Sequence, residues 1–140
     1  MANVSNGLFA QGAEKVVMLD SDTPNLPSDL IREALSGLDD VDVVLGPCED
    51  GGYYLIGMRS WVPDLFRGIP WSTADVTKMT VKKAQTLGLK VLLLERWYDV
   101  DTIMDIKRLK RDLGRTTKNC FFCENTYRAI SSLHITNKSF

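Results

Sequence analysis

Histidine occurs once and cysteine three times in this chain of 140 residues, and neither sign of charge is in clear excess. Three cysteines, Cys48, Cys120 and Cys123, are too few and odd in number for a disulfide framework. They point to reduced thiols and a cytoplasmic chain. Cys120-Phe-Phe-Cys123 has the spacing of half a zinc site, yet with His134 it offers three ligands where a closed structural site needs four. His134 has no evident Ser or Cys partner for nucleophilic catalysis. Seventeen basic against eighteen acidic residues give a net charge of −1, which leaves no basic excess for nucleic acid. No apolar run approaches the roughly 18 residues of a membrane span. Met1–Gly7 has neither a positive n-region nor an apolar h-region, so no secretory signal is expected. Walker and Gly-x-Gly-x-x-Gly loops are absent from the sequence. What is present is ordinary: 44% apolar and 25% charged residues, a composition that excludes disorder, collagen and coiled coil. A chain of this length buries roughly 68–70% of its unfolded surface, enough for one real core.

Strand and helix signals alternate, and no linker divides them. A single α/β domain over residues 1–140 is therefore expected, with residues 1–12 flexible. Lys15–Asp20 is a short apolar run of the kind buried on both faces of a sheet. Asp40–Gly46, Tyr53–Ile56 and Val91–Leu94 predict three further strands. Ser28 is placed to cap a helix whose Leu30, Ile31, Ala34, Leu35 and Leu38 recur at helical spacing. Ser72 with Asp75, and Thr102 with Asp105, read as capping boxes. Gly88 stands where a C-terminal left-handed residue belongs. Ile103, Ile106, Leu109 and Leu113 line a helix up to Gly114, and Tyr127, Ile130 and Leu133 suggest a short last one. Lys107, Arg108, Lys110 and Arg111 read as a solvated face suited to the helix dipole. Alternation of this kind predicts a sandwich around a largely parallel sheet.

Four segments could carry chemistry. Asp20-Ser-Asp22 closes a buried strand, where ligand sites of open α/β sheets lie. Carboxylates at i and i+2 on extended backbone share a side and suit a hard cation such as Mg²⁺ or Mn²⁺. The same residues also serve as turn formers before Pro24. Glu49-Asp50-Gly51-Gly52-Tyr53 sets carboxylates on a tight turn, where one could act as a base toward a hydroxyl. Asp-Gly is equally a hairpin signal. Asp99-Val-Asp101-Thr102 could bring a carboxylate to the edge that carries Asp22, or merely cap a helix. Trp71-Ser72-Thr73 could stack on a ligand, although capping by Ser72 explains part of it.

Together Val16–Pro27, Val44–Gly57, Ile69–Thr73 and Asp99–Thr102 resemble, in order and spacing, the bacterial glycosyltransferase-A-like family of nucleotide-diphospho-sugar transferases, related to cofactor guanylyltransferases. The resemblance implies a GT-A fold, a weakly bound divalent cation (Mg²⁺ or Mn²⁺) and a nucleotide-activated donor. Asp22 and Asp101 match the family's metal-associated aspartates. Asp50 becomes the candidate catalytic carboxylate, and Asp20, Glu49, Gly51, Gly52, Tyr53, Trp71, Ser72 and Thr73 the candidate donor- or acceptor-binding residues. Family members begin with a glycine- and lysine-containing nucleotide loop and the first strands of the sheet. Met1 falls inside that pattern, so the resemblance predicts a truncated GT-A three-layer sandwich, mostly parallel and lacking its first strands.

The expected function is metal-dependent transfer of a sugar from a nucleoside diphosphate sugar, impaired by loss of the donor-binding half. The alternatives are an inactive fragment serving as a binding or assembly module, and a nucleotidyltransferase. Val16–Leu19 would then leave a sheet edge unpaired, which predicts a homodimer through that edge.

Overall fold

The computed structural model describes residues 2–115 and 123–133. A hairpin lies at its centre. Val43–Pro47 (β2) and Tyr53–Met58 (β3) pair antiparallel across the turn 48–52. That connection is too short for the crossover a parallel pair requires. Val16–Leu19 (β1) joins the other side of β3, also antiparallel, and Val91–Leu93 (β4) pairs parallel with β2. The order is β1-β3-β2-β4. Three strands point one way and β3 opposes them, so the sheet is mixed. The expectation of a mostly parallel sheet is corrected here: the Asp50-Gly51 turn, read only as a possible hairpin signal, makes β3 run back.

Every residue of β3 is buried, because helices cover both faces. Ser28–Gly37 (α2) sets Leu30 and Ala34, with Leu38 beyond its end, against Val44, Tyr54, Leu55 and Leu94. Val76–Thr86 (α3) packs Val76 and Ala84, with Leu65 and Ile69, against Val43, Leu45, Ile56 and Met58. This double cover explains why Tyr53-Tyr-Leu-Ile-Gly-Met reads as an unbroken run without polar alternation. Tyr54 lies across Gly46, where a Cβ would stand 2.3 Å from its ring, and its hydroxyl donates to the Glu95 carbonyl at 2.8 Å. A side chain at position 46 would displace the ring.

Within the first twelve residues, Ala2–Ala10 forms α1. Ser5, fully buried, donates to Met18 Sδ at 3.1 Å, and Phe9 joins the core on the α3 side. Ile103–Arg115 (α4) and Cys123–Ser132 (α5) pack together around Leu109, Leu113 and Ile130. Of the three capping assignments, one holds as read. The Thr102 and Asp105 box closes, with Asp105 Oδ2 accepting from the Thr102 N–H at 2.8 Å and Thr102 Oγ1 from the Asp105 N–H at 3.3 Å. Ser28 is instead the first helical residue, after an extended Pro27 with no side-chain cap bond. Ser72 adopts φ +61°, and α3 starts only at Val76. Gly88 has the expected positive φ of +72°. Cys120 and His134 lie outside the described residues, as does the side chain of Cys123. Among the described residues no helix is long and apolar enough to cross a membrane.

Candidate active site

Three codirectional strands end on one side of the sheet, and the chain turns acidic as it leaves each of them. Asp20 follows β1, Cys48-Glu-Asp50 follows β2, and Asp99-Val-Asp101 follows the segment after β4. Backbone bonds lock these exits together. Asp20 donates its N–H to the Tyr54 carbonyl at 3.0 Å, and Trp97 and Glu49 continue the β2–β4 pairing through a bridge at Cys48. The Val100 N–H donates to the Asp22 carbonyl at 2.9 Å, tying the first acidic loop to the last. Carboxyl ends of strands are where open α/β sheets place ligands.

The result is an open cleft of about 540 Å³ lined by Asp20, Asp22, Asp50, Asp99 and Asp101 together with Tyr53, Trp71, Ser72 and Thr73. Gly52 also lines it. Two expected members do not. Gly51 faces a second cavity, and the Glu49 carboxylate is held by Arg108 in a two-pronged pair at 2.8 and 3.0 Å. Arg108 lowers the Glu49 pKa through that pair. Its guanidinium also lies 3.8 Å from the centroid of the Tyr98 ring. Tyr98 donates to Asp112 at 2.9 Å and accepts from Asn25 at 2.7 Å. Arg108, read from sequence as part of a solvated face, instead fastens α4 to the acidic turn.

Burial first, and like charge after it, act on the groups of the cleft. Burial raises the Asp20 pKa above its ordinary value, with a smaller rise from the charges of Asp22 and Asp50, against the lowering bonds from the Thr23 hydroxyl and the Asp22 backbone. Asp99 is raised by burial and by Asp50, Asp101 and Asp20. Burial, followed by the charges of Asp20 and Asp99, pushes the Cys48 thiol up to about 12. Ligand atoms of Cys48, Asp50 and Asp99 lie within 4.8 Å of one another. A thiol sulfur is a soft donor and does not suit a hard cation, whereas the carboxylates do. Of the Asp99-Val-Asp101 segment the sequence assigns a role to Asp101 alone, although the i, i+2 relation brings Asp99 to the same cleft.

An aromatic row runs from the cleft-lining Tyr53 and Trp71 to Phe66 and Trp61. Trp61 stacks on Phe66 at 5.7 Å, Phe66 on Trp71 at 6.4 Å, and Trp71 meets Tyr53 edge-on at 6.4 Å. Trp71 remains 47% exposed at the cleft mouth. The Tyr53 hydroxyl is buried and has no hydrogen-bond partner among the described residues.

Comparison with known proteins agrees with this architecture. A crystal structure from Desulfovibrio desulfuricans G20, named a "putative nucleotide-diphospho-sugar transferase", superimposes with a TM-score of 0.81 at 41% identity. The match covers 94% of this chain and 56% of that one, so the present chain spans little more than half the length of that relative. No curated protein matches. Residues 1–73 match the family described as "Uncharacterized protein conserved in bacteria (DUF2064)". With just over half of its 140 residues matched, the chain belongs to that bacterial family.

Proposed function

We propose that the cleft serves glycosyl transfer from a nucleoside diphosphate sugar to an acceptor hydroxyl. The observation that carries this reading is the meeting of five aspartates, from three separate segments, in one open cleft that an exposed tryptophan also lines. The name of the 41% identical relative supports it. Asp22 and Asp101 would hold a divalent cation, Mg²⁺ or Mn²⁺, in the cleft where Asp50 and Asp99 also converge. When bound, such an ion neutralises charge on the departing diphosphate. Affinity is expected to be weak without a donor, because Mg²⁺ depends on substrate oxygens to complete its shell.

Asp50 is assigned as the base that accepts the acceptor hydroxyl's proton. Its Oδ1 accepts the Gly52 N–H at 2.8 Å, which fixes the carboxylate on the turn. Asp20, Gly52, Tyr53, Ser72 and Thr73 would border the bound substrates, and the Trp71 face would carry a ring. Glu49 acts through Arg108, as an anchor of the turn, rather than by touching substrate.

Thermal shift with Mn²⁺ and UDP- or GDP-sugars, set against GTP and CTP, tests the proposal. Stabilisation by Mn²⁺ with a diphosphate sugar, lost in Asp22→Ala and in Asp101→Ala, is the expected outcome. Stabilisation confined to a nucleoside triphosphate would replace this reading with nucleotidyl transfer. No response to any donor would leave a binding or assembly module in its place.

A further inference from the structure

Behind the acidic turn lies a second cavity of about 570 Å³. Cys48 and Ala74 border both cavities, so the turn 48–52 and the entry to α3 form a shared wall. The two sides differ in charge. Five aspartates face the cleft, whereas Lys78, Lys82 and Arg96 line the second cavity, with no carboxylate among its walls. Lys78 and Lys82 are one helical turn apart on α3 and share a face. None of the three cations forms a salt bridge with a described carboxylate. Arg96 acts on Glu49 only through charge, after Arg108, whose two-pronged pair already holds that carboxylate. Pro47, Val81 and the half-exposed Leu93 add apolar surface to the same lining.

We propose that this groove binds a soluble phosphate monoester with an apolar body. Three cations around one opening match a compact dianion better than a single carboxylate, and an arginine fork suits phosphate oxygens. The apolar part of the lining gives an alkyl or ring body surface to cover, which a bare inorganic ion would leave exposed. Without a bound cation the acidic cleft repels such an anion, which favours this side of the wall. No part of the glycosyl-transfer reading depends on this groove.

Nuclear magnetic resonance titration with hexyl phosphate, inorganic phosphate and hexanol tests the assignment. Hexyl phosphate should shift amides of α3 and of the turn, and bind about tenfold more tightly than inorganic phosphate. The double variant Lys78→Gln/Lys82→Gln should weaken it about tenfold, a loss of one charge-assisted contact or more, while Lys110→Gln on α4 leaves it unchanged. Equal affinity in the double variant, or hexanol binding as tightly as hexyl phosphate, would overturn the proposal. So would lysine-dependent sedimentation with phosphatidic acid vesicles in the absence of hexyl phosphate binding, because the occupant would then be a lipid surface.

Discussion

Gly51 meets two demands at one position. Its φ is +95°, and a Cβ there would stand 2.0 Å from the Ala74 carbonyl oxygen. The backbone cannot retreat easily, since the Gly51 carbonyl accepts from the Thr77 N–H at 2.9 Å and the Gly52 carbonyl from the Thr77 hydroxyl. Gly51→Ala is therefore expected to cost about 2 kcal/mol or more, or to prevent folding. Gly52 has neither constraint: a Cβ there meets only the movable Asp50 carboxylate, at 3.2 Å. Gly52→Ala should cost less than about 1 kcal/mol. Urea unfolding of the two variants separates them, and equal costs would contradict the account. Asp42 offers a second residue-scale test. The Lys90 N–H donates to its Oδ2 at 2.8 Å and Arg59 Nε to its Oδ1 at 2.8 Å, and these hold its pKa below the ordinary value. A depressed pKa contributes stability above the unfolded carboxylate range, and that stability is lost as pH falls through the folded value. Asp42→Asn should thus cost about 1–2 kcal/mol at pH 7, and melting curves of the two proteins should converge in acid.

At the scale of elements, α4 is joined to the turn after β2 by the Arg108–Glu49 pair, with Arg108 stacked on Tyr98. Both charged side chains are partly exposed, so a double-mutant cycle with Glu49→Gln and Arg108→Gln should give a coupling of only about 0.5–1 kcal/mol. It should shrink in high salt. A coupling near zero would mean that the pair does not position the turn. This clasp marks the limit of what local pattern conveys. Apolar runs disclosed all four strands, helical spacing disclosed α2 and α4, and Asp20, Asp22, Asp50, Asp101 and Trp71 were visible as candidates where strands give way to turns. Arg108 was not, because its partners Glu49 and Tyr98 are remote in sequence and a row of basic residues looks the same whether solvated or engaged. The helix α1 lacked a signal for a similar reason: Ser5 is buried by Met18, a contact that no periodicity encodes. The reversal of β3 was written in Asp50-Gly51, but strand runs alone carry no direction.

For the whole molecule, the side of β1 away from β3, where no described strand pairs, is the main question of assembly. The strand pairs only with β3 among the described residues, and Leu19 is exposed, as are Val4 and Leu8 on α1. Unpaired strand edges beside apolar groups are templates for another chain. A two-fold dimer through this edge is expected, and light scattering during size exclusion checks it. A monomer at tens of micromolar, with residues 2–10 resistant to protease, would mean that α1 closes the edge from within. The central position of the β2–β3 hairpin has a consequence in time as well as in space. It is the only strand pairing in the described sheet made between neighbours in the chain, whereas β1 and β4 must each find partners far along it. Local closures precede distant ones because the entropy of the intervening loop must be overcome first. Stopped-flow chevrons should accordingly show Ile56→Val slowing refolding and Val16→Ala mainly hastening unfolding. On that order of events, the bend carrying Asp50 is born early, and the strands bearing the other aspartates arrive at a corner already turned.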